Sequence, residues 1–173
     1  MKYICAIDPS NLHSAYVICH ADDLEPIRMG RNENENMYCC LVDDIQFLSN
    51  DPANDFEIVI EDMECQGRPL SKDTKNTIIW MGRLLERFEK AEFEVTLIRR
   101  SQERKVICPG VYHANDTTIR YSLIERFTPN VPNYGKGSKA NPGWFYGFRA
   151  DIWQAYAVAV TFHDLKERGE LQK

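Results

Sequence analysis

Three acidic residues stand where the chain passes from one element to the next. Asp8 follows the apolar run Tyr3-Ile4-Cys5-Ala6-Ile7, Glu61 follows Phe56-Glu57-Ile58-Val59-Ile60 and precedes Asp62, and Asp151 opens the apolar stretch that closes the sequence. Carboxylates are hard oxygen donors, and several tolerate close approach when a magnesium or manganese ion neutralises them. Two such ions roughly 3.5–4 Å apart can activate a water and stabilise the leaving oxygen of a phosphodiester. Each acid also has a plain structural use. Asp8 before Pro9 suits a turn, Glu61 and Asp62 suit a solvated strand end, and Asp151 suits a helix N-cap. What sets them apart is their combination: two strand ends and a helix start can meet at one edge of a sheet, where α/β folds commonly build sites.

The elements that must position these acids follow from apolar periodicity. Tyr3–Ile7 and Ala15–Cys19 read as buried strands, Asp22–Asn36 as a turn and a partly exposed third strand, and Phe56–Ile60 as a further buried strand. Cys40, Leu41, Ile45 and Leu48 predict a helix over Met37–Leu48, and Ile78, Ile79, Met81, Leu84, Leu85 and Phe88 predict another over Asn76–Ala91. Phe93–Ile98 alternates as a strand, and Thr117–Phe127 has helical spacing. Gln66–Asp73 and the Pro-, Gly-, Asn- and Lys-rich stretch Thr128–Trp144 read as loops, the second long enough to suggest a functional segment. Ala150–Lys166 predicts a strongly apolar helix. Strands first, then helices interleaved with strands, indicate an α/β mixed β-sheet flanked by α-helices.

With 173 residues and 43% hydrophobic content, the chain is expected to form a single domain over residues 1–173. The apolar stretches are too short to cross a bilayer and the N-terminus lacks a signal-peptide pattern, so a cytoplasmic location is expected. The six cysteines show no CxxC pair, and the four histidines pair with no cysteine in a zinc-ligand pattern, so reduced thiols and no zinc are expected. The net charge of −5 hides a segregation. Residues 1–65 carry 3 basic and 14 acidic side chains, whereas residues 66–149 carry 15 basic and 8 acidic ones. A basic middle facing a polyanion, with acids elsewhere or on metal, is physically coherent; so is a merely solvated mixed surface.

The residues around the three acids resemble a family. Ile7-Asp8-Pro9-Ser10 followed by Ser14-Ala15-Tyr16-Val17-Ile18 resembles the first hairpin of RuvC-type Holliday junction resolvases, with their I-D-P-G signature and T-G-Y-type strand. Val59-Ile60-Glu61 resembles the strand that carries the family's catalytic glutamate. Lys105-Val106-Ile107-Cys108-Pro109-Gly110 resembles its K-x-x-x-x-G segment, and Ala114–Phe127 its next helix. Asp151-Ile152-Trp153-Gln154-Ala155-Tyr156-Ala157-Val158-Ala159 resembles its last helix, with the pattern D-x-x-D-A-x-A-x-A. The matches fall in family order over most of the chain.

The resemblance implies a ribonuclease H-like fold and a magnesium-dependent endonuclease, manganese being a substitute, with two ions per site. Its substrate would be the four-way junction and other branched DNA, cut by a homodimer in a bacterial or phage-infected cell; the alternatives are a catalytically weak or inactive nucleic-acid-binding module of the same fold, or another nuclease on it. Asp8, Glu61 and Asp151 would be catalytic metal ligands, with Asp62 and Gln154 as further candidates. There are departures. Ser10 replaces the usual glycine, Asp116 stands where a basic residue is common, and Gln154 stands where a fourth acid is frequent, which weakens the second metal position. Asp62, Glu64 or Asp164 are conceivable substitutes for that ligand. The long stretch 130–148 is similar to divergent phage resolvases.

Arg68, Lys72 and Lys75 lie soon after Glu61 and Lys105 in the matched basic segment, with Arg99, Arg100 and Arg104 adding positive field. Lys136, Lys139 and Arg149 accompany Trp144, Phe145, Tyr146 and Phe148, a mixture suited either to distorted DNA or, for the rings, to core or dimer packing. Phosphate contacts of this kind position DNA without reading its sequence. The apolar face of Asn76–Ala91 could join subunits or pack on the sheet.

Overall fold

The computed structural model describes residues 1–64, 67 and 69–171. Its five-stranded sheet comprises β1 (Lys2–Asp8), β2 (His13–His20), β3 (Pro26–Glu33), β4 (Asp55–Asp62) and β5 (Val95–Arg99) in the order β3-β2-β1-β4-β5. The β1–β2 and β2–β3 pairs are antiparallel, while β1–β4 and β4–β5 are parallel. Helices α1 (Asn34–Leu48), α2 (Lys72–Lys90), α3 (Arg100–Ile107), α4 (Asp116–Phe127) and α5 (Ile152–Glu167) complete the architecture. This is the expected mixed sheet flanked by helices.

Successive side chains of a strand face opposite sides of the sheet, so β1 serves two cores at once. Ile4 and Ala6 join Ala15, Val17, Val59 and the buried apolar residues of α5 on one face. Tyr3, Cys5 and Ile7 join Ile18, Ile58 and Ile60 against α1 and α2 on the other. Burial on both faces explains why these strands are apolar without alternation. Helix α5 is buried on nearly every side from Ile152 to Phe162, as an apolar helix packed between a sheet and two other helices must be.

The apolar face of α2 is used inside the molecule. Trp80, Leu84 and Phe88 are buried against the sheet, with Met81 and Leu85 packed beside them, leaving Ile79 exposed. The segment 128–148 is equally committed. Phe145 and Phe148 are fully buried and stack edge-on with Tyr156, so of the four rings Tyr146 is the one left mainly to solvent. Trp144 Nε1 donates to the Tyr156 hydroxyl at 3.0 Å, and that hydroxyl donates to the Leu24 carbonyl at 3.0 Å. A Cβ at Gly143 would lie 2.3 Å from the Gly135 carbonyl oxygen, so the close crossing of this segment requires glycine there. The expected long loop is thus a packed cover on α5. Helix α3 was not expected; it is 8 residues long and strongly polar, too short to show an apolar period.

Cys5, Cys19, Cys39, Cys40 and Cys108 are free thiols, as expected from their spacing. No helix among the described residues is long and apolar enough to cross a membrane.

Candidate active site

Strand register places the first two acids side by side. Ile7 pairs with Ile60 in the parallel β1–β4 ladder, so Asp8 and Glu61 are the next residues out, on the α5 face that Ala6 and Val59 already share. Asp62 falls on the opposite parity and lies 3.6 Å from Arg99 Nε, away from that pair.

The turn after Asp8 is fixed by a buried network. Ser14 Oγ accepts from the Ser10 amide at 3.1 Å and from Trp80 Nε1 at 3.0 Å, and donates to Asn34 Oδ1 at 2.7 Å. Asn34 Nδ2 in turn donates to the Ser10 carbonyl at 3.0 Å. Ser10, the mild departure from the family pattern, fits this arrangement through its backbone. Polar groups satisfied in this way hold the end of β1 rigid.

Electrostatically, Asp8 and Glu61 form a strained pair. Burial first, then the Glu61 charge and hydrogen bond and the more distant Asp151, raise Asp8 well above the usual carboxylate range. Burial also raises Glu61, against the opposing pull of Arg100. Two half-buried carboxylates in mutual contact repel each other when both are ionised, and a further cation relieves that repulsion, so this donor set fits a hard divalent ion.

The Asp151 side differs. Asp151 stands at the N-cap position of α5 but makes no capping bond. Its carboxylate accepts from Arg31 Nε at 2.6 Å. Arg31 reaches it because Asp8, Ala15 and Arg31 form one row across β1, β2 and β3, and Ala15 is small enough to pass beneath the arginine. Gln154, one turn on, accepts from Arg100 Nη1 at 2.7 Å. Arg100 also holds Glu103 at 2.8 Å, lies 3.7 Å from Glu61, and donates through Nη2 to Asp116. Asp116, the other departure noted in the sequence, therefore serves as a partner of an arginine. Among the described residues, no group of three or more His, Cys, Asp and Glu side chains is arranged to hold a metal ion.

The two arginines are held very differently. The Arg31–Asp151 pair is about one-third exposed at each partner, and such pairs contribute only ~0–1 kcal/mol. Arg100 is 17% exposed and Glu103 fully buried, and leaving a buried polar group without its hydrogen-bond partner costs roughly 1–3 kcal/mol. Among the described residues, Glu103 Oε1 has no hydrogen-bond partner. Burial and then the Glu61 charge push the Glu103 carboxyl up to about 9.

The remaining candidates divide by exposure. Lys72, Lys75, Lys105, Lys139 and Arg149 are exposed, as are Arg99 and Arg104. Lys136 is not free in the same way, because its ammonium donates to the Phe148 carbonyl at 2.8 Å. Arg68 lies outside the described residues. Of the suggested substitute ligands, Glu64 accepts from the Ser101 amide and hydroxyl at 3.0 and 2.8 Å, closing the start of α3. Asp164 is bound by Arg126 at 2.6 and 3.0 Å, ~20 Å along α5 from Asp151. Sequence reasoning missed Arg31 and Glu103 and gave Arg100 only a general electrostatic part. The i,i+3 spacing of Arg100 and Glu103 was the available signal for α3. Beside Asp151, a pocket of about 270 Å³ is lined by Asp116, Arg120, Gln154 and Trp153, with the Arg120 guanidinium 4.9 Å above the Trp153 ring.

No family model matches the sequence, and no curated protein matches it. Solved structures do. Thermus thermophilus RuvC in complex with a Holliday junction substrate superposes with a TM-score of 0.67 at 8% identity, covering 99% of each chain. A second structure of Thermus thermophilus RuvC gives 0.68 at 10% identity, covering 98% of each chain. The Fowlpox virus resolvase bound to Holliday junction DNA aligns more loosely, at 0.48 and 14% identity over 92% of this chain and 97% of its own. The chain therefore has the ribonuclease H-like fold of the RuvC resolvase, over nearly its full length.

Proposed function

We propose that this protein is a metal-dependent endonuclease that nicks branched DNA, four-way junctions foremost. The observation that carries the reading is the Asp8–Glu61 pair: two half-buried carboxylates at adjacent parallel strand ends, on the fold of RuvC. Asp8 and Glu61 would hold magnesium or manganese, with Asp151 reaching the same place once Arg31 turns away. A bound ion of this kind supplies a water of lowered pKa and charge stabilisation for the leaving oxygen. The chain's own part is to fix the two carboxylates and to present phosphate-binding cations. Exposed Lys72, Lys75, Lys105, Lys139 and Arg149 are the proposed DNA contacts, with Arg68 beside them in sequence. They fix the position of a backbone rather than its sequence, so branch shape would decide the choice of substrate.

A junction has approximate two-fold symmetry, and paired nicks are most simply made by a two-fold dimer. A homodimer is therefore part of the proposal. Because the apolar face of α2 is buried on the sheet, its subunit contact would be made by other surfaces together with Ile79.

One set of observations favours a second reading, a nucleic-acid-binding module that does not cut: Asp151 is held by Arg31, and Gln154 lacks the charge of an acid. Incubating the protein with labelled four-way junction, duplex, flap and RNA–DNA hybrid separates the two. Nicking confined to branched DNA, present with magnesium or manganese and absent with chelator, is the expected result, with two chains per junction by light scattering. A junction that is bound but never nicked at any metal concentration would establish the second reading.

A further inference from the structure

The resemblance to resolvases leads one to expect two divalent ions, and the donor set supports one. We propose that the Arg100 guanidinium is a built-in cation on the Gln154 side of the acidic cluster, so that the site takes a single divalent ion, at Asp8 and Glu61. The inference rests on the metal-dependent reading above for that one ion and goes beyond it for the other.

Four contacts define the place that Arg100 fills. Its Nη1 lies 2.7 Å from Gln154 Oε1, 2.8 Å from Glu103 and 3.7 Å from Glu61, and its Nη2 donates to Asp116. The guanidinium thus sits among three carboxylates and an amide drawn from β4, α3, α4 and α5. A divalent ion near Gln154 would need the same acceptor atoms. It would also be repelled by a permanent positive charge within a few ångströms.

Gln154 itself is decisive. Its carbonyl oxygen is the one atom of that side chain able to ligate a hard ion, and that oxygen is already accepting from Arg100. Nor can Arg100 readily swing out. It is 17% exposed and anchored by Glu103, a fully buried acid with one oxygen already lacking a partner. Departure of the arginine would leave the other oxygen unpaired as well. Arg31, by contrast, is a cation about one-third exposed on Asp151 that an incoming ion or phosphate can displace.

The combination of Arg100 with Gln154 therefore replaces the combination of a metal ion with an acid. It follows that changing Gln154 alone does not create a second ion site, because the new carboxylate would pair with Arg100. The requirement for metal should not fall in Gln154→Asp, contrary to what the family pattern suggests.

The test is manganese binding, counted by calorimetry and by electron paramagnetic resonance of the bound ion. Wild type is expected to bind one ion per chain with no spin coupling, and Gln154→Asp and Arg100→Lys likewise. Arg100→Gln combined with Gln154→Asp is expected to bind two, with the coupled spectrum of ions roughly 4 Å apart. Two coupled ions in wild type, or none, would overturn the inference whether or not any variant folds. A folded double variant that still binds one ion would overturn it too, since Arg100 would then be a structural cross-link alone. Failure here is distinguishable from failure of the nuclease reading. One bound ion without nicking counts against the nuclease, whereas nicking with two coupled ions counts against the part given to Arg100.

Discussion

The two halves of the acidic edge were built from similar residues and came out with different electrostatic surroundings. At the Asp8–Glu61 half, two carboxylates face each other across adjacent strands, and burial raises both above the usual carboxylate range. At the Asp151–Gln154 half, each position is met by an arginine from a distant element. The difference shows that metal-ligand residue types do not by themselves make a metal site. What matters is whether the fold leaves their charge to be neutralised from outside or neutralises it from within.

The sharpest way to break this contrast is to remove one acid from each half. Asp8→Asn and Glu61→Gln should each reduce junction nicking by more than ~100-fold while folding and junction binding persist, given that even outer-shell changes at metal sites cost about 10–100-fold. Asp151→Asn should lose less, because its carboxylate is already engaged by Arg31. Single-turnover nicking with saturating magnesium reads both. If Asp151→Asn proves as inactive as Asp8→Asn, the two halves are equivalent; if Asp8→Asn or Glu61→Gln cuts at the wild-type rate, that residue is not a ligand.

A second comparison sets the two arginines against each other. Arg100→Ala should destabilise the fold by roughly 1–3 kcal/mol, since it leaves the buried Glu103 carboxyl without its hydrogen-bond partner. Arg31→Ala should change stability by no more than about 1 kcal/mol, as expected for a pair about one-third exposed. Urea unfolding of both variants decides the matter. Equal losses would mean that Arg31 is as firmly built in as Arg100 and that Asp151 is not available to substrate or metal.

The remaining comparison concerns pH. Glu103 is raised from 4.5 to about 9 by burial and by Glu61, so the folded chain keeps a proton there that the unfolded chain releases. Its contribution to stability is complete below pH ~4.5 and is lost as the pH climbs to about 9. Glu103→Gln imitates the protonated form at every pH. Its melting temperature relative to wild type should therefore rise steadily between pH 5 and pH 9 in chelator, and a constant difference would remove Glu103 from the buried network.

Much of the scaffold was legible because it obeys local rules. The apolar runs that became β1, β2 and β4 announced strands buried on both faces, and the periodic stretches became α1, α2, α4 and α5. Other features depended on chemical context that composition does not carry. Segment 128–148 has the composition of a loop, yet Phe145, Phe148 and Trp144 bind it to α5. Lys136 looks like a DNA contact by composition, while its ammonium closes a backbone carbonyl of the same segment. Helix α3 carries no apolar stripe, because its inward position is filled by Glu103.

From the sequence alone came the placing of Asp8 and Glu61 at strand ends and of Asp151 at the start of the last helix, since a carboxylate ending an apolar run is a feature of a few neighbouring residues. That Asp8 and Glu61 touch follows nearly as directly, once β1 and β4 are paired in register with Ile7 opposite Ile60. The fate of the other half was decided by tertiary structure alone. Arg31 and Asp151 are separated by 120 residues and Arg100 and Gln154 by 54, and nothing periodic marks either arginine. A strand end is specified by the alternation of its own residues, whereas the partner of a charged side chain is specified by which elements the whole core brings within a few ångströms of it.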